Sequence, residues 1–327
     1  MRVGVIGPPE ADEFAANIVA CLPDLGVEAI ALGAARRRPH GRRATNLQYA
    51  VASAAPPLDL RLQRGVLARA LEAELDLVIS VEGALHPEVV RALRLNGARV
   101  ALWFPDHVSN LGVLRMMAAE YSRMYFKDPL LVERLVTTYG LRCSFLPEAC
   151  NPAWHRPIGE PASAGGIAVV GNMYVTRVHL LNRLASAGIP LTLHGAGWPQ
   201  ITPAGPAASL AVQAPVHRED KSRVFRQAAG VLNNLHPAEM TSVNCRLFEA
   251  TAAGGAVLCE DRQSLRDLFD VGTEVLAFAN YDELVQHIKQ LFDEPDLTRR
   301  VGDAAAQRAL AEHTYQHRLT EILSDLA

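Results

Sequence analysis

Residues 232–259 read LNNLHPAEMTSVNCRLFEATAAGGAVLC, and the order of apolar and polar residues in them decides the fold. An apolar run at 230–232 predicts a short buried strand ending at Asn233, with His236, Glu239, Thr241 and Ser242 in a loop at its carboxyl end. A helix follows, in which Val243, Leu247 and Ala250 keep the spacing of a core-facing stripe. Thr241 or Ser242 is placed to cap that helix, and a capped N-terminus with free backbone N–H groups is a natural seat for phosphate. Gly254 and Gly255 stop it, because glycine tolerates the left-handed backbone that closes a helix, and residues 256–259 form the next buried strand.

Outward from this unit the same alternation of short apolar runs and amphipathic segments recurs, as expected of parallel sheets wrapped by helices. A first set of strands is predicted at 2–6, 27–32, 77–80, 98–104, 124–126 and 143–146, and a second at 166–170, 191–194, 230–232, 256–259 and 275–278. Between the sets, residues 147–166 are dense in Pro, Gly, Ala and Ser and show no sustained periodicity, which reads as a connection. The expectation is an α/β chain of two Rossmann-like domains, 1–157 and 158–310, followed by a C-terminal helix at 311–327 packed on the first. At 327 residues and 49% hydrophobic content the chain can fill two cores. Length and pattern equally permit a two-domain dehydrogenase or a sugar-nucleotide epimerase.

Composition narrows the function classes. A net charge of −3 gives no general attraction to nucleic acid. Five of the arginines crowd into RRRPHGRR at 36–43, where Pro39 and Gly41 mark a turn and no aromatic residues interleave. That segment reads as a solvated loop, with an anionic acceptor or peripheral contact with acidic headgroups as the functional alternative. The five cysteines, Cys21, Cys143, Cys150, Cys245 and Cys259, are odd in number and lack a CxxC pair, so they read as reduced packing residues. No apolar stretch is long enough to span a membrane, and the N-terminus begins with a strand in place of a signal peptide, so a cytoplasmic location is expected.

A nicotinamide cofactor requires GxGxxG directly after a strand. The first strand ends Gly4-Val5-Ile6-Gly7-Pro8-Pro9, and the prolines remove backbone donors that would face a pyrophosphate. Gly195 and Gly197 form only a lone GxG. No Walker A sequence, HExxH or DxD-like pair is present, so neither a cofactor nor a metal is expected.

The sequence resembles the CgeB-like glycosyltransferases, which are related to the retaining group 1 type. The matching pieces are LNNLHP at 232–237, CRLFEATAAGG at 245–255, LRDLFDVGTEVLAFANYDEL at 265–284 and AEHTYQHRL at 311–319. VVGNMYVTRVHLLNRL at 169–184 and LTLHGAGW at 191–198 extend the likeness, and LWFPDH at 102–107, SRMYFKDPLLVERL at 122–135 and FLPEACNPAWHRP at 145–157 carry it more loosely into the first half. The resemblance implies a GT-B fold, in which two Rossmann-like domains face each other. It also implies transfer of a sugar from a UDP-, GDP- or dTDP-linked donor to an acceptor such as a glycan, natural product or protein.

Open α/β sheets place ligands at the carboxyl ends of their strands. In the second domain the candidates for the donor are Gly171, Asn172 and Arg177 after the first strand and His194 and Gly195 after the second. Thr241, Ser242, Asn244, Arg246 and Glu249 follow at the helix described above. Arg246 and Glu249, three apart, project together, the cation suited to a diphosphate and the carboxylate to the paired hydroxyls of a ribose; an exposed i,i+3 ion pair is the plain alternative. Retaining relatives carry two glutamates with seven residues between them. Here Glu239 stands too far from Glu249 and Thr241 takes the first position, so Glu239 is either a catalytic residue reaching the sugar or a solvated carboxylate. In the first domain Gly7, Glu82 and His86 are acceptor-side candidates, and Asp106 with His107 is a catalytic pair at a strand end. Two other readings of the same donor site stand beside transfer: an epimerase or hydrolase, and a non-catalytic sugar-nucleotide-binding subunit.

Overall fold

The computed structural model describes residues 1–36, 47–48, 50–52, 54–106, 115–161, 165–199 and 201–326. Most of the basic segment 36–43, and His107, lie outside them. The chain divides into two compact units, one of residues 1–147 and 315–327 and the other of residues 148–314.

The first unit holds six parallel strands, β1 (Arg2–Ile6), β2 (Glu28–Gly33), β3 (Leu77–Ser80), β4 (Arg99–Phe104), β5 (Arg123–Phe126) and β6 (Cys143–Phe145), in the order β2-β1-β3-β4-β5-β6. β3 and most of β1, β4 and β5 are buried, because a parallel sheet covered by helices on both faces offers its strands no solvated side. Helices α1 (Phe14–Cys21), α2 (Pro56–Glu72), α3 (Pro87–Leu95), α4 (Arg115–Ala118) and α5 (Pro129–Thr137) wrap it. Three of them begin with proline at the first turn, where the missing N–H costs nothing.

The C-terminal helix, Tyr315–Asp325, belongs to this unit, and side-chain chemistry explains why. Tyr315 packs edge-on against Phe14 and Trp103, at centroid distances of 5.5 and 5.8 Å, and those two rings meet at 4.6 Å. At its far end Asp325 accepts a hydrogen bond from Tyr125 Oη at 2.9 Å and pairs with Arg123 Nε at 3.1 Å. Burial pushes the Tyr125 phenol well above its usual range, and the Asp325 carboxylate adds to the shift.

The second unit begins at Glu148 and not near residue 157, because Cys150 is tied to the end of the unit: its N–H donates to His313 O at 2.9 Å in a parallel bridge with Thr314. Its strands are β7 (Ile167–Val170), β8 (Leu191–His194), β9 (Val212–Gln213), β10 (Gly230–Asn233), β11 (Val257–Glu260) and β12 (Leu276–Phe278), all parallel, in the order β12-β11-β10-β7-β8-β9. Chain order reverses between β7 and β10, so the crevice beyond their carboxyl ends is the topological switch point where such sheets take ligands. Helices α6 (Val175–Ser186), α7 (Arg218–Arg226), α8 (Cys245–Ala252), α9 (Gln263–Leu268), α10 (Tyr281–Asp293) and α11 (Pro295–Glu312) belong to this unit, and the C-terminal helix is α12.

Helix α8 closes as the glycines foretell. Gly254 has φ +76°, and the Gly254 and Gly255 N–H groups donate back to Thr251 O and Ala250 O at 2.9 and 3.0 Å. Gly302 of α11 abuts that closure, where any Cβ would collide with Gly254 O. Among the described residues, no helix is long and apolar enough to cross a membrane.

Candidate functional site

The site is built on the turn after β7. Gly171 has φ +122°, a backbone that side chains rarely adopt, and a Cβ there would stand 3.2 Å from Arg246 Nη2 and 3.5 Å from Arg177 Nη1. Two guanidinium groups therefore converge on a bare stretch of backbone at the switch point. Gly195 serves the same turn from β8, because a Cβ there would collide with Gly171 O, and Gly171 N–H donates to His194 O at 2.9 Å. His194 itself is buried, with Nδ1 3.3 Å from Ala214 O, which gives it a structural task in fixing the neighbouring strand.

Arg177, in the first turn of α6, is only 6% exposed and so is not an ordinary surface residue. Its three nitrogens are all directed: Nε to Asn234 Oδ1 at 2.8 Å, Nη1 to Asn172 O at 2.9 Å and Nη2 to Asn234 O at 3.0 Å. The guanidinium also lies over the Tyr174 ring, 4.6 Å from its centre. Burial pulls its pKa down, and the nearby Arg246 charge pulls the same way. The Glu249 carboxylate pairs with Arg246 but two cations face the turn, so the arrangement is electrostatically suited to a further anion.

Arg246 and Glu249 do project together, but not as an exposed pair. Arg246 Nη1 donates to Glu249 Oε2 at 2.8 Å with the carboxylate side chain 5% exposed, and Lys221 Nζ of α7 donates to Oε1 at 2.9 Å. His155 Nε2 stands 3.9 Å from the same Oε1. Burial alone would raise the Glu249 pKa; Lys221, then Arg246 and His155, outweigh it and hold the carboxyl at about 2. Lys221 is 4% exposed, and its position in the charged run HREDKSR gave the sequence reading no reason to select it.

The N-terminus of α8 differs from expectation. Neither Thr241 nor Ser242 caps it; Asn244 occupies the cap position with extended backbone (φ −113°, ψ 169°) and no side-chain capping bond. The reason is that Ser242 Oγ donates instead to Glu239 Oε2 at 2.5 Å, while Thr241 O accepts from Ser264 N and Oγ. Thr241 Oγ1 and Asn244 Oδ1 are buried atoms without a hydrogen-bond partner among the described residues. Glu239 is 4% exposed, which overturns its reading as a solvated carboxylate, and its backbone carbonyl accepts from Arg262 Nε at 2.7 Å.

The first-unit candidates are engaged locally. Gly7 lies where a Cβ would collide with Val81 and press on Ala15, so packing demands it. Glu82 Oε2 accepts from Ala35 N at 2.6 Å, and His86 caps α3 by accepting from Glu88 N at Nδ1, 3.1 Å. Asp106 is exposed just beyond β4. Arg36, the first arginine of the basic cluster, is buried and paired with Asp59, which corrects its assignment to a solvated loop.

Residues 177–324 match the Glycosyl transferase-like family. The glycosyltransferase-like stretch thus runs from Arg177 through the rest of the second unit into α12. A sucrose-phosphate synthase from Thermosynechococcus elongatus superposes with a TM-score of 0.71 at 14% identity, covering 99% of this chain and 98% of its own. A glycosyltransferase from Rickettsia africae gives 0.65 at 10% identity over 99% and 97%. The Anabaena protein HepE, solved in complex with UDP-glucose, gives 0.65 at 12% identity over 99% of each chain. These likenesses establish the GT-B fold. Comparison with curated protein sequences gave no match.

Proposed function

We propose that the protein is a glycosyltransferase that moves a sugar from a nucleoside diphosphate to an acceptor hydroxyl or amine. The observation that carries this reading is the convergence of Arg177 and Arg246 on the Gly171 turn at the switch point of the second sheet. Breaking the bond to the anomeric carbon leaves negative charge on the departing diphosphate. Fixed cations stabilise that charge without reorganising as it develops, so the two arginines supply in this reading what a metal supplies elsewhere. The bare Gly171 backbone lets the diphosphate approach closely. Glu249 accepts the ribose hydroxyls, and buried Glu239, bonded by Ser242 ahead of α8, is the acid nearest in sequence to serve the sugar.

The CgeB-like resemblance favours retention of anomeric configuration; inversion would require a base such as Asp106. UDP is the first nucleotide to test, since HepE was solved with UDP-glucose. A thermal-shift series of UDP, GDP, dTDP and their glucose conjugates tests donor binding: the cognate pair raises the unfolding temperature most at matched concentration, by mass action on the folded state. No shift with any of them would overturn the proposal. Product analysis with donor alone and with glycan, natural-product and protein acceptors then separates transfer from epimerisation, hydrolysis and binding without turnover.

A further inference from the structure

Glu249 is an anion buried between two cations, and its free valences are countable. An ionised carboxylate offers about four lone-pair sites, two on each oxygen. Lys221 occupies one on Oε1 at 2.9 Å and Arg246 one on Oε2 at 2.8 Å. Among the described residues this leaves one acceptor direction on each oxygen, which suits two adjacent hydroxyl donors. The two cations also prevent the side chain from rotating, because turning the carboxylate breaks a charge-assisted bond on either side. His155 limits the space beyond Oε1, with its Nε2 3.9 Å from that oxygen and its Nδ1 accepting from Asn151 N at 3.0 Å.

We propose that Lys221 is a positioning residue for ribose recognition, setting Glu249 so that each of its oxygens receives one hydroxyl of the nucleotide's 2′,3′-diol. This rests on the donor reading above and adds a residue from a different helix to it. Lys221 touches Glu249 and acts on the nucleotide only through it. Its task differs from that of Arg246, which also faces the Gly171 turn.

The test measures, by calorimetry, the affinities of UDP and 2′-deoxy-UDP for the full chain and for Lys221→Met and Lys221→Arg. Loss of one hydroxyl that bonds a buried carboxylate is expected to weaken wild-type binding about tenfold. Lys221→Met, of similar length and apolar, is expected to shrink that ratio to about threefold or less while 2′-deoxy-UDP still binds, and Lys221→Arg to restore most of it. Retained 2′-deoxy-UDP binding shows that the variant is folded. A Lys221→Met ratio equal to that of wild type, with both affinities lowered together, would overturn the proposal by reducing Lys221 to a packing residue. A wild-type protein that binds UDP but does not distinguish the two ligands overturns the ribose role alone, whereas one that binds neither overturns the donor reading as well.

Discussion

Arg246→Ala is expected to weaken UDP binding by roughly 100-fold, the loss that follows from removing about 2–3 kcal/mol of charge-assisted bonding to a diphosphate. Arg246 combines the attributes such an effect needs. Its side chain is 20% exposed and thus accessible, its Nη1 is anchored by Glu249, and its Nη2 is the nitrogen nearest the Gly171 turn. The folded state should tolerate the change, because Lys221 still neutralises Glu249 when Arg246 is gone. Calorimetric titration of UDP together with a denaturation curve checks both parts. Affinity within threefold of wild type would remove Arg246 from the site.

The second large effect concerns Glu249 and stability. Its carboxyl is held at about 2 in the folded protein against an ordinary 4.5. A depressed carboxyl stabilises the fold fully above the unfolded value and loses that contribution as pH falls through the folded value. The linkage amounts to about 3 kcal/mol, present above pH 4.5 and lost toward pH 2. Glu249→Leu removes the anion from the buried Lys221–Glu249 pair, and breaking such a pair from one side costs about 3–5 kcal/mol. The double variant Lys221→Met/Glu249→Leu removes both charges and is expected to recover most of the loss. Denaturant unfolding of wild type and both variants at pH 7 and pH 3 measures these terms. If Glu249→Leu is as stable as wild type at pH 7, the pair does not carry the weight assigned to it.

The strands were readable because parallel sheets covered on both faces make each strand an apolar run. β1, β3 and β8 fall where the runs at 2–6, 77–80 and 191–194 placed them. β9 was not readable: two residues at a sheet edge, Val212–Gln213, make no run at all. The site divides in the same way. Gly171, Arg177, Arg246 and Glu249 could be found from their spacing after strands and on a helix face, which are local properties. Lys221 could not, since its burial depends on Glu249 28 positions away on another helix, and its neighbours Arg218, Glu219, Asp220 and Arg223 all read as solvated. The cap of α8 was misplaced for a related reason. Ser242 has the right chemistry for a cap, but its hydroxyl is taken by the buried Glu239, a pairing no helix periodicity reveals.

The central claim, that a nucleoside diphosphate binds the second unit at the crevice between β7 and β10, is tested most directly by amide hydrogen exchange with and without saturating UDP. Protection is expected at residues 171–178 and 234–249, with the amides of residues 1–36 unchanged. Slowing confined to the first unit, or none anywhere, would contradict it.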